Sequence, residues 1–146
     1  MRFFRRFVSV VDGISRRSVL CAIAAAGLLS ACGSSGPRRT GGVGSAKPGD
    51  RVAALADVPV GSGVLVDMPG NGQLLLVQPA AGQVRAFNPV CPHAGSLVNP
   101  PAGGAITCPT HNSKFDPATG QPRSGPSRTG LTEVPVKISG TDVLIG

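Results

Sequence analysis

Four side chains in two short segments carry most of the chemistry available to this sequence. Cys91-Pro92-His93 and Cys108-Pro109-Thr110-His111 are separated by the 14 residues from Ala94 to Thr107. Each follows a strand-length run, ending near Phe87 and Thr107, so a β scaffold can bring the four together on two facing loops. Two thiolates and two imidazoles suit either a tetrahedral zinc ion or a two-iron, two-sulfide cluster in which two His replace two Cys on one iron. His93 and His111 are the only histidines in the chain. If both are ligands, none is left for a second iron site with two His and a carboxylate, for haem, or for general-base catalysis. Substrate chemistry then falls to a partner. Gly61-Ser62-Gly63 lacks the third glycine of a dinucleotide fingerprint and reads as a turn.

The elements around these segments read as β structure. From Arg51 onward the chain alternates strand-length runs with turn residues: Val52–Leu55, Gly63–Met68, Gln73–Gln78, Gln83–Phe87, Ala105–Cys108, Thr132–Ile138 and Asp142–Ile145. Pro69–Gly72 and Pro79–Gly82 read as hairpin connections. With 21 Gly and 14 Pro in 146 residues, no window long enough for a substantial helix escapes a breaker. The expected fold class is all-β and antiparallel. There is no Trp or Tyr, so Val, Leu, Ile and Ala must build the core together with Phe87 and Phe115. A cofactor that pins loops together would help stabilise so small a core.

The net charge of +7 is concentrated outside this domain. Arg2, Arg5, Arg6, Arg16 and Arg17 against Asp12 leave +4 before residue 32, whereas the part from Arg51 onward carries only +1. A basic nucleic-acid surface is therefore excluded for the folded part. Residues 1–31 have the organisation of an export signal, a basic stretch followed by an uncharged run from Ser18 to Ala31. That run is too short to cross a hydrocarbon core of about 30 Å as a helix. Ser15-Arg16-Arg17-Ser18-Val19-Leu20 resembles a twin-arginine signal, with Val19 where that family usually has Phe. Leu29-Ser30-Ala31-Cys32 resembles a lipobox, which implies acylation of Cys32 and a membrane anchor. Residues 33–50, with 11 of 18 being Gly, Ser or Pro, read as a flexible linker spanning roughly 20–25 Å.

The two metal-binding segments resemble the Rieske proteins. The resemblance covers Cys91-Pro-His-Ala-Gly-Ser-Leu97, Cys108-Pro-Thr-His-Asn-Ser-Lys-Phe-Asp116, Thr119-Gly120 and the proline-loop residues Gly125-Pro126, and with them essentially the whole of residues 51–146. It implies a β-sandwich bearing a small cluster-binding subdomain of two loops, with one Rieske [2Fe–2S] cluster per chain. By the resemblance Cys91 and Cys108 ligate one iron and His93 and His111 the other. Replacing anionic thiolate by neutral imidazole makes the His-ligated iron easier to reduce. Ring nitrogens facing solvent would couple reduction to pH.

The resemblance also assigns Ser113 the hydroxyl that bonds a bridging sulfide in high-potential members, and it places Asn112 where a Gly is common. Phe115 stands where high-potential members carry a Tyr that bonds a ligand Cys. Ser96 and Thr110 stand where quinol-oxidising members have a disulfide between the loops. These departures imply an intermediate or low potential within the family's span of about −150 to +300 mV. Twin-arginine export suits the cluster, because that route carries folded proteins.

The expected function is one-electron transfer at the outer face of the cytoplasmic membrane, between a redox-protein donor and acceptor. One alternative is a small Rieske subunit of a larger oxidoreductase. Another, of a different class, is a zinc-binding or redox-sensing envelope protein. The chain is not expected to be an enzyme by itself.

Overall fold

The structure, a computed structural model, describes residues 39–146. The export signal, Cys32 and the start of the linker lie outside the described residues. Eleven strands follow in order: β1 (Arg51–Ala54), β2 (Gly63–Met68), β3 (Gly72–Ala80), β4 (Gln83–Phe87), β5 (Asn99–Ala102), β6 (Ala105–Thr107), β7 (Lys114–Phe115), β8 (Pro122–Ser124), β9 (Glu133–Val134), β10 (Val136–Ser139) and β11 (Asp142–Ile145). They form three antiparallel sheets, ordered β1-β11-β10, β2-β3-β4-β9 and β5-β6-β7-β8.

The middle sheet serves two cores, and β3 shows why. Leu74, Leu75, Leu76 and Val77 have no exposed surface. Successive side chains of a strand point to opposite faces, and the continuous apolar run is the mark of a strand covered on both. Leu74 and Leu76 join Ala86, Val143 and Ile145 in the core shared with the β1-β11-β10 sheet. Leu75 and Val77 join Phe87, Ile106, Phe115, Cys91 and Cys108 in the core under the third sheet. One strand thus ties the structural sandwich to the core that holds both Cys.

Three strands escape the alternation pattern. In β5 the sequence is Asn-Pro-Pro-Ala, and β8 begins at Pro122. Both lie at the edges of the third sheet, where a residue without an N–H is tolerated. β7 has only two residues, Lys114 and Phe115, too few to show a period. The single run expected over Thr132–Ile138 is split at Pro135: Val134 pairs with Ala86, and Val136 with Ile145 of another sheet.

The domain begins before Arg51, which corrects the linker boundary at Asp50. Thr40 N–H donates to Asn71 O, Gly42 N–H to Gln73 O, Ser45 N–H to Pro69 O and Gly49 N–H to Ile145 O, all within 3.0 Å. Val43 and Ala46 pack on the first core, and Arg39 pairs with Asp67 at 2.7 Å. The Gly and Pro residues here serve tight turns against the sheets. The described residues, 39–146, belong to one compact unit.

Candidate metal centre

Two loops converge at one end of the third sheet. Residues 88–98 join β4 to β5, and residues 108–113 join β6 to β7. They share a backbone pattern. Cys91 N–H donates to Ser96 O at 2.7 Å while Gly95 N–H donates back to Cys91 O at 2.9 Å. In the second loop Cys108 N–H donates to Ser113 O at 2.8 Å and Asn112 N–H to Cys108 O at 2.9 Å. Each turn needs a left-handed residue four places after its Cys. Gly95 has φ +73°, and Asn112 fills the equivalent place at φ +58°. Asn is among the few non-glycine residues that adopt this conformation readily, so the substitution noted in the sequence leaves the loop shape intact.

This repeat places the donors two and two. Cys91 and Cys108 are buried in one core and not joined by a disulfide, and their side chains are close enough to influence each other's charge. His93 and His111 are exposed at the tip, their ring centroids 4.7 Å apart and their planes at 86°. Among the described residues, no three His, Cys, Asp or Glu gather around one point. A single tetrahedral ion would need four donors at about 2.0–2.3 Å, whereas a binuclear group takes its protein donors in two pairs.

Burial pushes the Cys91 thiol above its ordinary value, against the amides of His93 and Ala94, which favour the thiolate. At Cys108 burial acts in the same direction. There the amide of Thr110, the Cys91 side chain, the amide of His111 and the Thr110 side chain outweigh it, and the thiol falls below its ordinary value. Peptide groups near each sulfur thus favour negative charge in a buried place.

Ser113 has no exposed surface, and its Oγ accepts from Ser127 N–H at 3.1 Å. The acceptor role is filled from within the protein, and among the described residues the hydroxyl proton has no acceptor. A buried donor left over in the loop that follows Cys108 fits a group that brings acceptor sulfides of its own. Gly125 makes the approach possible: at φ +89°, a Cβ there would lie 2.5 Å from Ser113 Cα. The donor set, its division and this orphan proton all fit the expected cluster.

Three contacts were not anticipated from the sequence. Thr110 Oγ1 donates to Ser96 Oγ at 2.6 Å, linking the loops. Arg123 ties Asp116 to the Gly104 carbonyl, while the free oxygen of Asp116 accepts from Ala118 and Thr119 N–H at 2.7 and 2.9 Å. Ser127 supplies the amide to Ser113. The repeat of Cys-Pro with Gly-Ser or Asn-Ser four and five places on was a legible signal for the loop symmetry; nothing local marks Ser127.

A family model, the Rieske [2Fe-2S] domain, matches residues 50–135. A putative respiratory nitrate reductase Rieske subunit of Haloferax mediterranei is 38% identical over 61 residues, 41% of this chain, which spans only 28% of that relative's length. The ferredoxin component of a naphthalene 1,2-dioxygenase system of Pseudomonas aeruginosa is 31% identical over 96 residues, 63% of this chain and 88% of the relative. Among solved structures, the plasma membrane Rieske protein of Synechocystis PCC 6803 superposes with a TM-score of 0.58 at 29% identity, covering 66% of this chain and 98% of its own.

Proposed function

The chain belongs to the Rieske [2Fe-2S] domain family, and from that premise we propose that it is a one-electron carrier held at the outer face of the cytoplasmic membrane through lipidated Cys32. In this reading Cys91 and Cys108 would hold one iron and His93 and His111 the other, and Ser113 would offer its unclaimed proton to the cluster. When bound, the cluster supplies a reversible one-electron couple. The residues do the rest. The buried Cys pair keeps the anionic end away from water, and the peptide groups near the sulfurs favour the extra negative charge of the reduced state. The exposed imidazoles form the point of closest approach for a partner. The single observation that carries the reading is the division of donors, thiols together inside and imidazoles together outside.

Iron and acid-labile sulfide analysis of the purified chain tests it, with EPR before and after dithionite. Two irons and two sulfides, silent when oxidised and rhombic with a low average g when reduced, are expected. One zinc and no sulfide, from cells able to assemble clusters, would overturn it. Labelling with a palmitate analogue tests the anchor separately: the wild type should be labelled and Cys32→Ala should not.

A second reading, a permanent subunit of a larger oxidoreductase, is favoured by the similarity to the nitrate reductase Rieske subunit. Co-purification from solubilised membranes distinguishes the two, since a mobile carrier should leave without a stoichiometric partner.

A further inference from the structure

Charge is scarce on the part of the chain that presents the imidazole tip. Residues 88–131 contain only four charged side chains: Lys114, Asp116, Arg123 and Arg128. Asp116 and Arg123 are spent on each other. Lys114 and Arg128 are exposed, and among the described residues neither has an ion-pair or hydrogen-bond partner. The fold sets them on adjoining segments. Lys114 follows Ser113, Arg128 follows Ser127, and these two buried serines are bonded to each other at 3.1 Å. The loop residues nearest the imidazoles, Pro92, Ala94, Gly95, Pro109, Thr110 and Asn112, carry no charge at all.

A neutral tip with two unpaired cations on the segments adjoining its second loop has a definite electrostatic preference. Ion pairs within a protein cancel at a distance, whereas unpaired cations beside an uncharged surface project their field toward an approaching molecule. From these positions we infer that Lys114 and Arg128 form a cationic docking patch, and that the redox partner it takes carries carboxylates around its own electron-transfer site. The inference rests on the electron-carrier reading above and specifies the partner's surface. The two cations steer an anionic face onto the imidazole tip, and the charge-free loops then allow close contact without burying an unpaired ion.

The test uses inorganic complexes of known charge as stand-ins for the partner. In NMR spectra of the oxidised protein, the redox-inert paramagnetic anion hexacyanochromate(III) should broaden the amides of Lys114, Arg128 and their neighbours selectively, and Lys114→Gln/Arg128→Gln should abolish this. In stopped-flow, the reduced protein gives one electron to hexacyanoferrate(III), forming hexacyanoferrate(II). Raising the ionic strength from about 0.01 to about 1 M shortens the Debye length from about 30 to about 3 Å. That rate constant should fall about 10-fold over this range, and the oxidation by the cation tris(phenanthroline)cobalt(III) should not fall. The double variant should flatten the hexacyanoferrate slope with the EPR spectrum unchanged, while Lys137→Gln, on β10 of another sheet, should keep it. Broadening away from Lys114 and Arg128, or a wild-type slope in the double variant, would overturn the patch and leave the carrier reading standing. A chain with no reducible chromophore would overturn both.

Discussion

The hydroxyl of Thr110 donates to that of Ser96 at 2.6 Å, joining the two cluster-binding loops at the positions where quinol-oxidising relatives would place a disulfide. The contact is exposed and non-covalent. A hydrogen bond of this kind contributes about 0.5–1.5 kcal/mol net, against about 2–4 kcal/mol for a typical disulfide. The loops are therefore held less firmly than a cystine would hold them.

Removing that bond should release the cluster sooner. Ser96→Ala and Thr110→Val should each accelerate loss of visible absorbance under a chelator, by about 2- to 10-fold if the whole contribution is lost. The double variant should be little worse than either single one, since one shared bond is at stake. Additive effects would show that the hydroxyls act separately.

Much of this is legible in the sequence. The spacing of Cys91, His93, Cys108 and His111 drew attention to the site, and Gln73–Gln78, with its unbroken apolar centre, marked the strand that becomes the wall between two cores. What escaped has physical reasons. The strands at Asn99–Ala102 and Pro122–Ser124 are edge strands, set by pairing with neighbours and not by their own composition. Pro135 was read inside one strand, although its missing N–H is what lets the chain cross from β9 to β10. The linker was read from composition, and Gly and Pro have the same composition in a tether and in turns packed on a sheet. Ser127 acts through its backbone amide, which no side-chain pattern records.

Ser113→Ala should lower the midpoint potential. The substitution removes a buried hydroxyl in the loop that follows Cys108, and with it the donor assigned to the added negative charge. It also leaves Ser127 N–H without its acceptor, a loss of about 1–3 kcal/mol in stability. Protein-film voltammetry reads the first effect and thermal unfolding the second. A destabilised variant with an unaltered potential would make Ser113 a loop fastener only.

Asp116 should make the cluster subdomain acid-sensitive. The Arg123 guanidinium holds its carboxyl below the ordinary carboxylate value, with the Ala118 and Thr119 amides adding to the effect against burial. A group whose folded value is depressed contributes stability that is fully present above its unfolded value, near pH 3.9. That stability is lost as pH falls through the folded value. Asp116→Asn should therefore cost about 1–2 kcal/mol at pH 7, after discounting the half-exposed Arg123 for solvent screening. The difference between variant and wild type should shrink below pH 4. Denaturant melts at pH 7 and pH 3 check this, and a difference that does not depend on pH would assign the effect to packing.

Phe115 offers the sharpest test of how the site is tuned. Its ring is fully buried in the same core as Cys91 and Cys108, so a hydroxyl added to it cannot reach water. In Phe115→Tyr the new O–H has two fates. If it reaches a ligand sulfur, it joins the peptide groups already near it and stabilises the reduced state, so the midpoint potential rises while stability changes by less than about 1 kcal/mol. If no acceptor is within reach, the buried hydroxyl costs about 1–3 kcal/mol and leaves the potential where it was. The first outcome is expected, because the ring already packs with both Cys in one core. Potential and unfolding free energy measured on the same preparation separate the two, and a less stable protein with an unmoved potential would show that the low expected potential has another source.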